Sequence, residues 1–472
     1  MKHLSLAALA AASFASPLAA QQVPNAAPDI RVSAHDRFYT SDQFSNTVSV
    51  IDPSTNTLLG VIKLGDPAPA YFSPLYKGQL FVHGMGSSPD RKTLSVVSIG
   101  SNSVTFIDTA TNSVKHTTYV GRSPHEAFFR PDGREVWVSI RGENYIQILD
   151  GKTFEPAGRI TVPNGPGMTI FSPNGKYGYV CSSFSPETVV IDTTSKKTVG
   201  RVKQASPLCP DIAATPDGKQ VWLTLKDVGK TLVFDAEPPF AVIKTIDTGA
   251  LTNHVNIVRN KQGQFAYVTV GTENIVKVFR TTDFAQIATI PVGALPHGLW
   301  PSGDGTRIYV GLENADAVAA IDTLTNKVIA TIPIGQGPQG VAYVPEAVLD
   351  GDGMANLVPL ADAGKKTQLT LVGTGRSQVT LFDQGQVQIL QAAVAGLVPK
   401  APYVLGLSNR PDGSGPIQPL AKFMTNPAGS AVVNTVGPLR QIVSEAKGEM
   451  RRYLVIAPGN PLSMGQAVQL QQ

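Results

Sequence analysis

The chain has 472 residues, of which 42% are hydrophobic and 16% charged, with a net charge of +4. That balance excludes a disordered polymer, and the absence of any basic run longer than two residues argues against a nucleic-acid footprint. Gly 44 and Pro 36 demand many turns and point to an all-β protein.

At the N-terminus Lys2 and His3 precede an apolar stretch from Leu4 to Phe14, and small residues follow to Leu18-Ala19-Ala20. This is the pattern of a secretory signal peptide over 1–20, cleaved after Ala20. The apolar stretch is too short for a bilayer core of about 30 Å, and no later stretch approaches the roughly 18 apolar residues of a spanning helix. The expectation is an exported protein, periplasmic or secreted, that does not span a membrane. A linker follows over 21–36.

From residue 37 the chain repeats. An apolar-acidic pair closes a strand-like run at Ile51-Asp52, Ile107-Asp108, Leu149-Asp150, Ile191-Asp192, Phe234-Asp235 and Ile321-Asp322, and Phe279-Arg280 fills the remaining gap. The spacings are 56, 42, 42, 43, 45 and 42, so there are seven copies, and about 14 extra residues in the first interval fall in Asp66–Phe81. Each copy has a turn such as Pro131-Asp132-Gly133 or Pro216-Asp217-Gly218, then β-rich runs such as Val136-Trp137-Val138-Ser139, and a Thr/Asn turn before a last run. Four short strands in about 42 residues is the period of a propeller blade.

The run ahead of each Pro-Asp-Gly turn occurs seven times, and so does the set of three runs after it, but the two series are offset by one. The chain starts on a set of three, Arg37–Gly65, and ends on a lone first strand, Gln339–Pro345. Joining those halves closes a ring and leaves no unpaired edge at the seam. The fold class expected is all-β, a seven-bladed β-propeller over 37–348 with a composite closing blade.

The runs Arg307-Ile308-Tyr309-Val310 and Ala317-Val318-Ala319-Ala320-Ile321-Asp322 resemble the YVTN-type β-propeller repeat, as does Pro296-His297-Gly298 ahead of Ser302-Gly303-Asp304-Gly305. The resemblance covers roughly 37–345 and is to exported YncE-like proteins. It implies the fold and leaves function open. The copy with Arg280 departs from it, having Lys261-Gln262-Gly263 at its turn.

Beyond Val348 the pattern stops. Asp350-Gly351-Asp352-Gly353 opens a linker over 349–366; it starts like a calcium loop, but Met354 stands at the third ligand position and no Glu closes it. The remaining 367–472 holds β-like runs at Gln368–Val372, Gln378–Phe382, Val387–Val394, Tyr403–Leu407 and Arg452–Ile456, and reads as a small β-sandwich-like domain.

No c-type haem motif, Walker loop, zinc-protease helix or nucleophile elbow is present. One constellation stands out instead. Six residues before the reference position of each turn stand His83, His125, Gly167, Pro210, His254, His297 and Gln339, so four of the seven His share one repeat position. Blades repeat by rotation, so these side chains should ring one end of the propeller axis. Glu126 and Asp211 each follow that position by one residue. The loops expected on the same face carry Arg141, Glu143, Lys226, Asp227, Glu273 and Glu313.

A His at this position can also be purely structural, bonding a neighbouring blade's backbone. As two pairs facing across a solvent-wide hub, the histidines would sit too far apart for one ion, so a larger ligand is expected and no metal or cofactor. The reading is a binding or scaffold protein that takes a small molecule or a protein partner at the funnel mouth, using His83, His125, His254, His297, Glu126, Asp211, Arg141 and Lys226, and acts as a monomer. A propeller enzyme or cofactor handler, lactonase-like or haem d1-related, is the alternative. Cys181 and Cys209 fall on adjacent blades at the same face, where an exported protein would join them.

Overall fold

The structure, a computed structural model, describes residues 30–64, 80–360, 366–384, 387–437, 439, 442 and 451–472. The expected signal peptide and all of the 66–81 insertion except Leu80 and Phe81 lie outside the described residues. Seven four-stranded antiparallel sheets make the propeller. We number the blades from the first complete one, so blades 1 to 6 begin with Val82–Ser87, Pro124–Phe129, Pro166–Phe171, Ile212–Ala214, Thr252–Asn260 and Pro296–Pro301. Blade 7 begins with Pro338–Val344, which pairs with Arg37–Asp42 and is followed outward by Thr47–Asp52 and Thr57–Lys63. The ring therefore closes by joining the two ends of the repeat region, with Phe38 opposite Tyr343 and Tyr39 opposite Ala342. Each innermost strand lies beside the next around the axis. The innermost strand of blade 4 is shorter than the repeat suggests, because Pro210 offers no N–H to the ladder.

The acid that marks the repeat is a turn former. Oδ1 of Asp108, Asp150 and Asp192 each accepts two backbone N–H bonds and one hydroxyl bond from the residues that follow. Where Arg280 replaces it, Asp283 accepts the N–H of Ala285 instead and pairs with Arg280 at 2.5 Å. Apolar side chains from adjacent blades, including fully buried Trp137, Trp222, Tyr179 and Tyr309, fill the spaces between sheets. Hydroxyls on second strands tie one blade to the next: Ser95 donates to the carbonyl of Ala127, Thr224 to Asn253, Thr269 to His297 and Ser41 to His83.

The segment after Val348 runs along the propeller's side. Arg37 and Asn112 donate to the carbonyls of Asp352 and Gly353, and Val358 exchanges both backbone bonds with Val61 on the outer strand of blade 7. Asp352 serves here as a turn residue, its Oδ1 accepting the N–H of Met354. Among the described residues the C-terminal unit has nine strands, which take in the five runs expected from sequence. They form one curled sheet whose end strands, Ile417–Met424 and Ala431–Gly437, lie against each other and nearly close it around an apolar core of Leu371, Leu390, Leu405 and Ile456.

This unit sits on the funnel mouth. Phe382 and Ile389 pack against Phe44, and Ala393 with Val432 against Leu251 and Leu295. Lys366 pairs with Asp316 at 3.2 Å, Thr380 donates to the Asn314 carbonyl at 3.3 Å, and the N–H of Ala428 donates to the Asp227 carbonyl at 3.2 Å. No helix of the described residues is long and apolar enough to cross a membrane.

Candidate functional site

In six of the seven innermost strands, all but that of blade 4, the ladder to the second strand skips at one place. The register shifts fall between Val82 and Met85, Pro124 and Ala127, Pro166 and Met168, Thr252 and Val255, Pro296 and Leu299, and Pro338 and Val341. These β-bulges hold the aligned histidines and the residues beside them. In a regular strand, consecutive side chains point to opposite faces; a bulge relaxes that alternation. His125 and Glu126 can therefore both turn toward the bore. Glu126 lines a small cavity on the axis beside His254, and so does Asp211, which stands just ahead of the short, regularly paired innermost strand of blade 4.

The four histidines gather in one cluster. Ring centroids of His83 and His125 are 4.3 Å apart, those of His254 and His297 4.3 Å, and those of His83 and His297 6.5 Å. The expectation of two pairs held apart across a wide hub is thus corrected. The bulged inner strands lean close enough for the pairs to meet, helped by glycines: a Cβ on Gly84 would overlap the Glu126 carboxylate and the His125 carbonyl.

All four rings are at most 7% exposed, and Glu126 and Asp211 are 3% exposed. Burial, reinforced by neighbouring positive charge, holds the imidazoles well below their ordinary pKa, that of His297 at about 3. Burial pushes Glu126 well up and Asp211 up to about 8. Near neutral pH the imidazoles are thus neutral and Asp211 is protonated.

Two of the rings are held by neighbours. His297 Nδ1 lies 3.2 Å from the Gln339 carbonyl of the next blade, so the structural role open to these histidines is real for that nitrogen. His254 Nδ1 faces Asp211 Oδ2 at 3.5 Å, and that oxygen accepts the N–H of Val255. Other polar atoms have no hydrogen-bond partner among the described residues: Nδ1 of His83 and His125, Nε2 of His254 and Oδ1 of Asp211.

Above the cluster is a chamber of about 440 Å³ with the four histidines in its floor and the C-terminal unit over it. Arg141 and Lys226 line its wall, as do Glu313 and Asp227; Glu143 and Glu273 do not, and pair instead with Arg122 and Lys277. Arg141 Nε donates to Ser183 Oγ at 2.9 Å, and neither Arg141 nor Lys226 forms an ion pair among the described residues. Glu313 accepts from Gln391 Nε2 at 2.6 Å, and burial pushes its carboxyl and that of Asp227 up. The wall thus favours negative charge.

Sequence reasoning did not find the roof: Gln391, Met424, Asn426 and Asn434 also line the chamber. No repeat or motif marks them, and only docking places them there. Gln339, the seventh member of the aligned ring, was visible in the alignment and also lines the chamber. A disulfide joins Cys181, at the end of the second strand of blade 3, to Cys209 ahead of blade 4.

Residues 2–348 match the family model of the YncE-like β-propeller. The seven-bladed β-propeller protein Rv1057 of Mycobacterium tuberculosis is 27% identical over 327 residues, covering 65% of this chain and 76% of that protein. Among solved structures, a chain of hydrazine synthase from Kuenenia stuttgartiensis superposes with a TM-score of 0.53 at 17% identity, covering 66% of this chain and 98% of its own. A functionally unknown protein from Desulfotomaculum acetoxidans superposes with a TM-score of 0.55 at 15% identity, covering 65% and 98%. At these identities the superpositions speak for the fold alone.

Proposed function

This chain belongs to the YncE-like β-propeller family, and from that premise we propose that it is an exported binding protein for a small organic anion, held in the chamber between the funnel mouth and the C-terminal unit. The observation that carries the reading is the pair of cations without an ion-pair partner among the described residues, Arg141 and Lys226, in the wall of a roofed, histidine-floored chamber. A carboxylate or phosphate group would meet both half-buried cations and complement their charge. The volume suits a small molecule. A protein partner on the axis would compete with the C-terminal unit, which already covers the mouth, so the small ligand is the better reading. Export fits the leader pattern at the N-terminus and the Cys181–Cys209 bond, which persists in oxidising compartments.

The test is calorimetric titration with a panel of small carboxylates and phosphate esters. Arg141→Met and Lys226→Met should each weaken the best ligand at least about tenfold, as loss of a charge-assisted bond of roughly 1.5–3 kcal/mol requires. A panel that binds neither protein, or binds both variants as tightly as the parent, would sink the reading.

A further inference from the structure

We propose that His83, His125 and Glu126 bind one divalent transition-metal ion at the floor of the chamber. One ligand atom from each of the three lies within 4.8 Å of the other two, and all three residues are buried. Donors on one tetrahedral ion at about 2.0–2.1 Å stand roughly 3.4 Å apart, so closing the site takes about an ångström of side-chain movement. The inference goes beyond the anion reading and does not depend on it.

The unpartnered atoms point the same way. Nδ1 of His83 and of His125 have no hydrogen-bond partner, and neither does Nε2 of His254 close by. Buried polar atoms are nearly always satisfied in folded proteins, and several orphans in one place call for a missing partner. A single cation with free coordination sites answers several lone pairs at once.

The surroundings orient the neighbouring rings as outer groups orient metal-binding imidazoles. His297 turns Nδ1 to the Gln339 carbonyl, which can only accept, so its Nε2 is left as the lone-pair nitrogen, while His254 Nδ1 faces the Asp211 carboxyl at 3.5 Å. With the ring of His297 6.5 Å from that of His83, a third imidazole stands beside the three-ligand set. Gly84 gives the Glu126 carboxylate its place, since any larger residue would occupy it.

Two imidazoles and one carboxylate select zinc, cobalt, nickel, iron(II) or copper(II) over calcium and magnesium, which require oxygen ligands throughout. His83 and His125 line the chamber while Glu126 lines the small cavity beneath, so an ion held by all three sits between the two spaces. An anion in the chamber would be within reach of it, as in sites that keep one position open.

The experiment uses the untagged, full-length mature protein, stripped with a chelator and titrated with Zn²⁺ by calorimetry and with Co²⁺ by visible absorption. The expected result is one ion per chain, with ligand-field bands of low-symmetry Co²⁺. His83→Gln, His125→Gln and Glu126→Gln should each weaken binding at least about tenfold. His116→Gln, at a half-buried outer-strand histidine that faces Glu155, should leave it unchanged. Far-ultraviolet circular dichroism and thermal melts of each variant show whether it is folded. Absence of stoichiometric binding by the parent protein overturns the proposal whatever the variants do, and so does full binding by folded His83→Gln and His125→Gln variants. Anion titration of the stripped protein stands apart: its loss with metal binding intact would count against the anion reading alone.

Discussion

Asp42 is fully buried at the end of Arg37–Asp42, where the hydroxyls of Thr40, Thr47 and Ser49 all donate to its carboxylate. Burial outweighs those bonds and pushes its pKa up to about 7, with the negative charge of Asp316 adding to the effect. The folded chain therefore keeps a proton that the unfolded chain loses near pH 4. Stability falls as pH rises from about 4 to about 7 and is flat in this term above that. Asp42→Asn should remove one proton's share of the slope, about 1.4 kcal/mol per pH unit across that window, in melts of parent and variant at matched pH. The neutral histidines contribute with the opposite sign, their stability being lost as pH falls below their ordinary value, which is why the comparison with the variant is needed. At Gly84 the constraint is space: Gly84→Ala drives a methyl into the His125 carbonyl, and a backbone atom cannot turn aside. A loss of about 1–3 kcal/mol in a denaturant melt is expected.

At the scale of elements, the spacing of the repeats located the strands because period, turn residues and apolar alternation are all local properties of the chain. The bulges are not local in that sense. Nothing in Pro124-His125-Glu126 announces that two consecutive side chains will address the same bore, and strict alternation would have sent one of them away. The disulfide depends on both levels: sequence places Cys181 and Cys209 near the same face of adjacent blades, and the strand packing brings their Cα atoms to 6.0 Å. The bond closes a loop of 28 residues in the unfolded chain. The double substitution Cys181→Ser with Cys209→Ser should lower stability by about 3–4 kcal/mol in a urea melt. A difference near zero would mean that the oxidised unfolded state is no more restricted than the reduced one.

For the molecule as a whole, the docking of the C-terminal sheet turns an open funnel into a partly roofed chamber. The docked faces combine the apolar contacts of Phe44 with Phe382 and of Leu251 and Leu295 with Ala393 with a few polar bonds at Glu313 and Asp316. Ala393→Arg would put a charge into the second apolar patch, and the charge could be solvated only by lifting the sheet away. Hydrogen exchange should then speed up at 251–254 and 293–297 while blades 1 to 3 keep their protection. Unchanged exchange at those segments would mean that the sheet stays seated without this patch.

Sequence alone determined the seven-bladed ring, its closure and the shared position of His83, His125, His254 and His297, because a rotational repeat turns one-dimensional spacing into a ring. The repeat acids marked the spacing in sequence, and their hydrogen bonds in the structure showed them to be turn formers. What only the tertiary structure decided was distance. How far the inner strands lean together set the 6.5 Å between His83 and His297, and the bulge between Pro124 and Ala127 brought Glu126 into the bore beside Asp211. The seating of the C-terminal sheet made Gln391 a neighbour of Glu313 across 78 residues of chain. Such contacts come from how whole sheets pack, and a residue's neighbours in sequence carry no record of them.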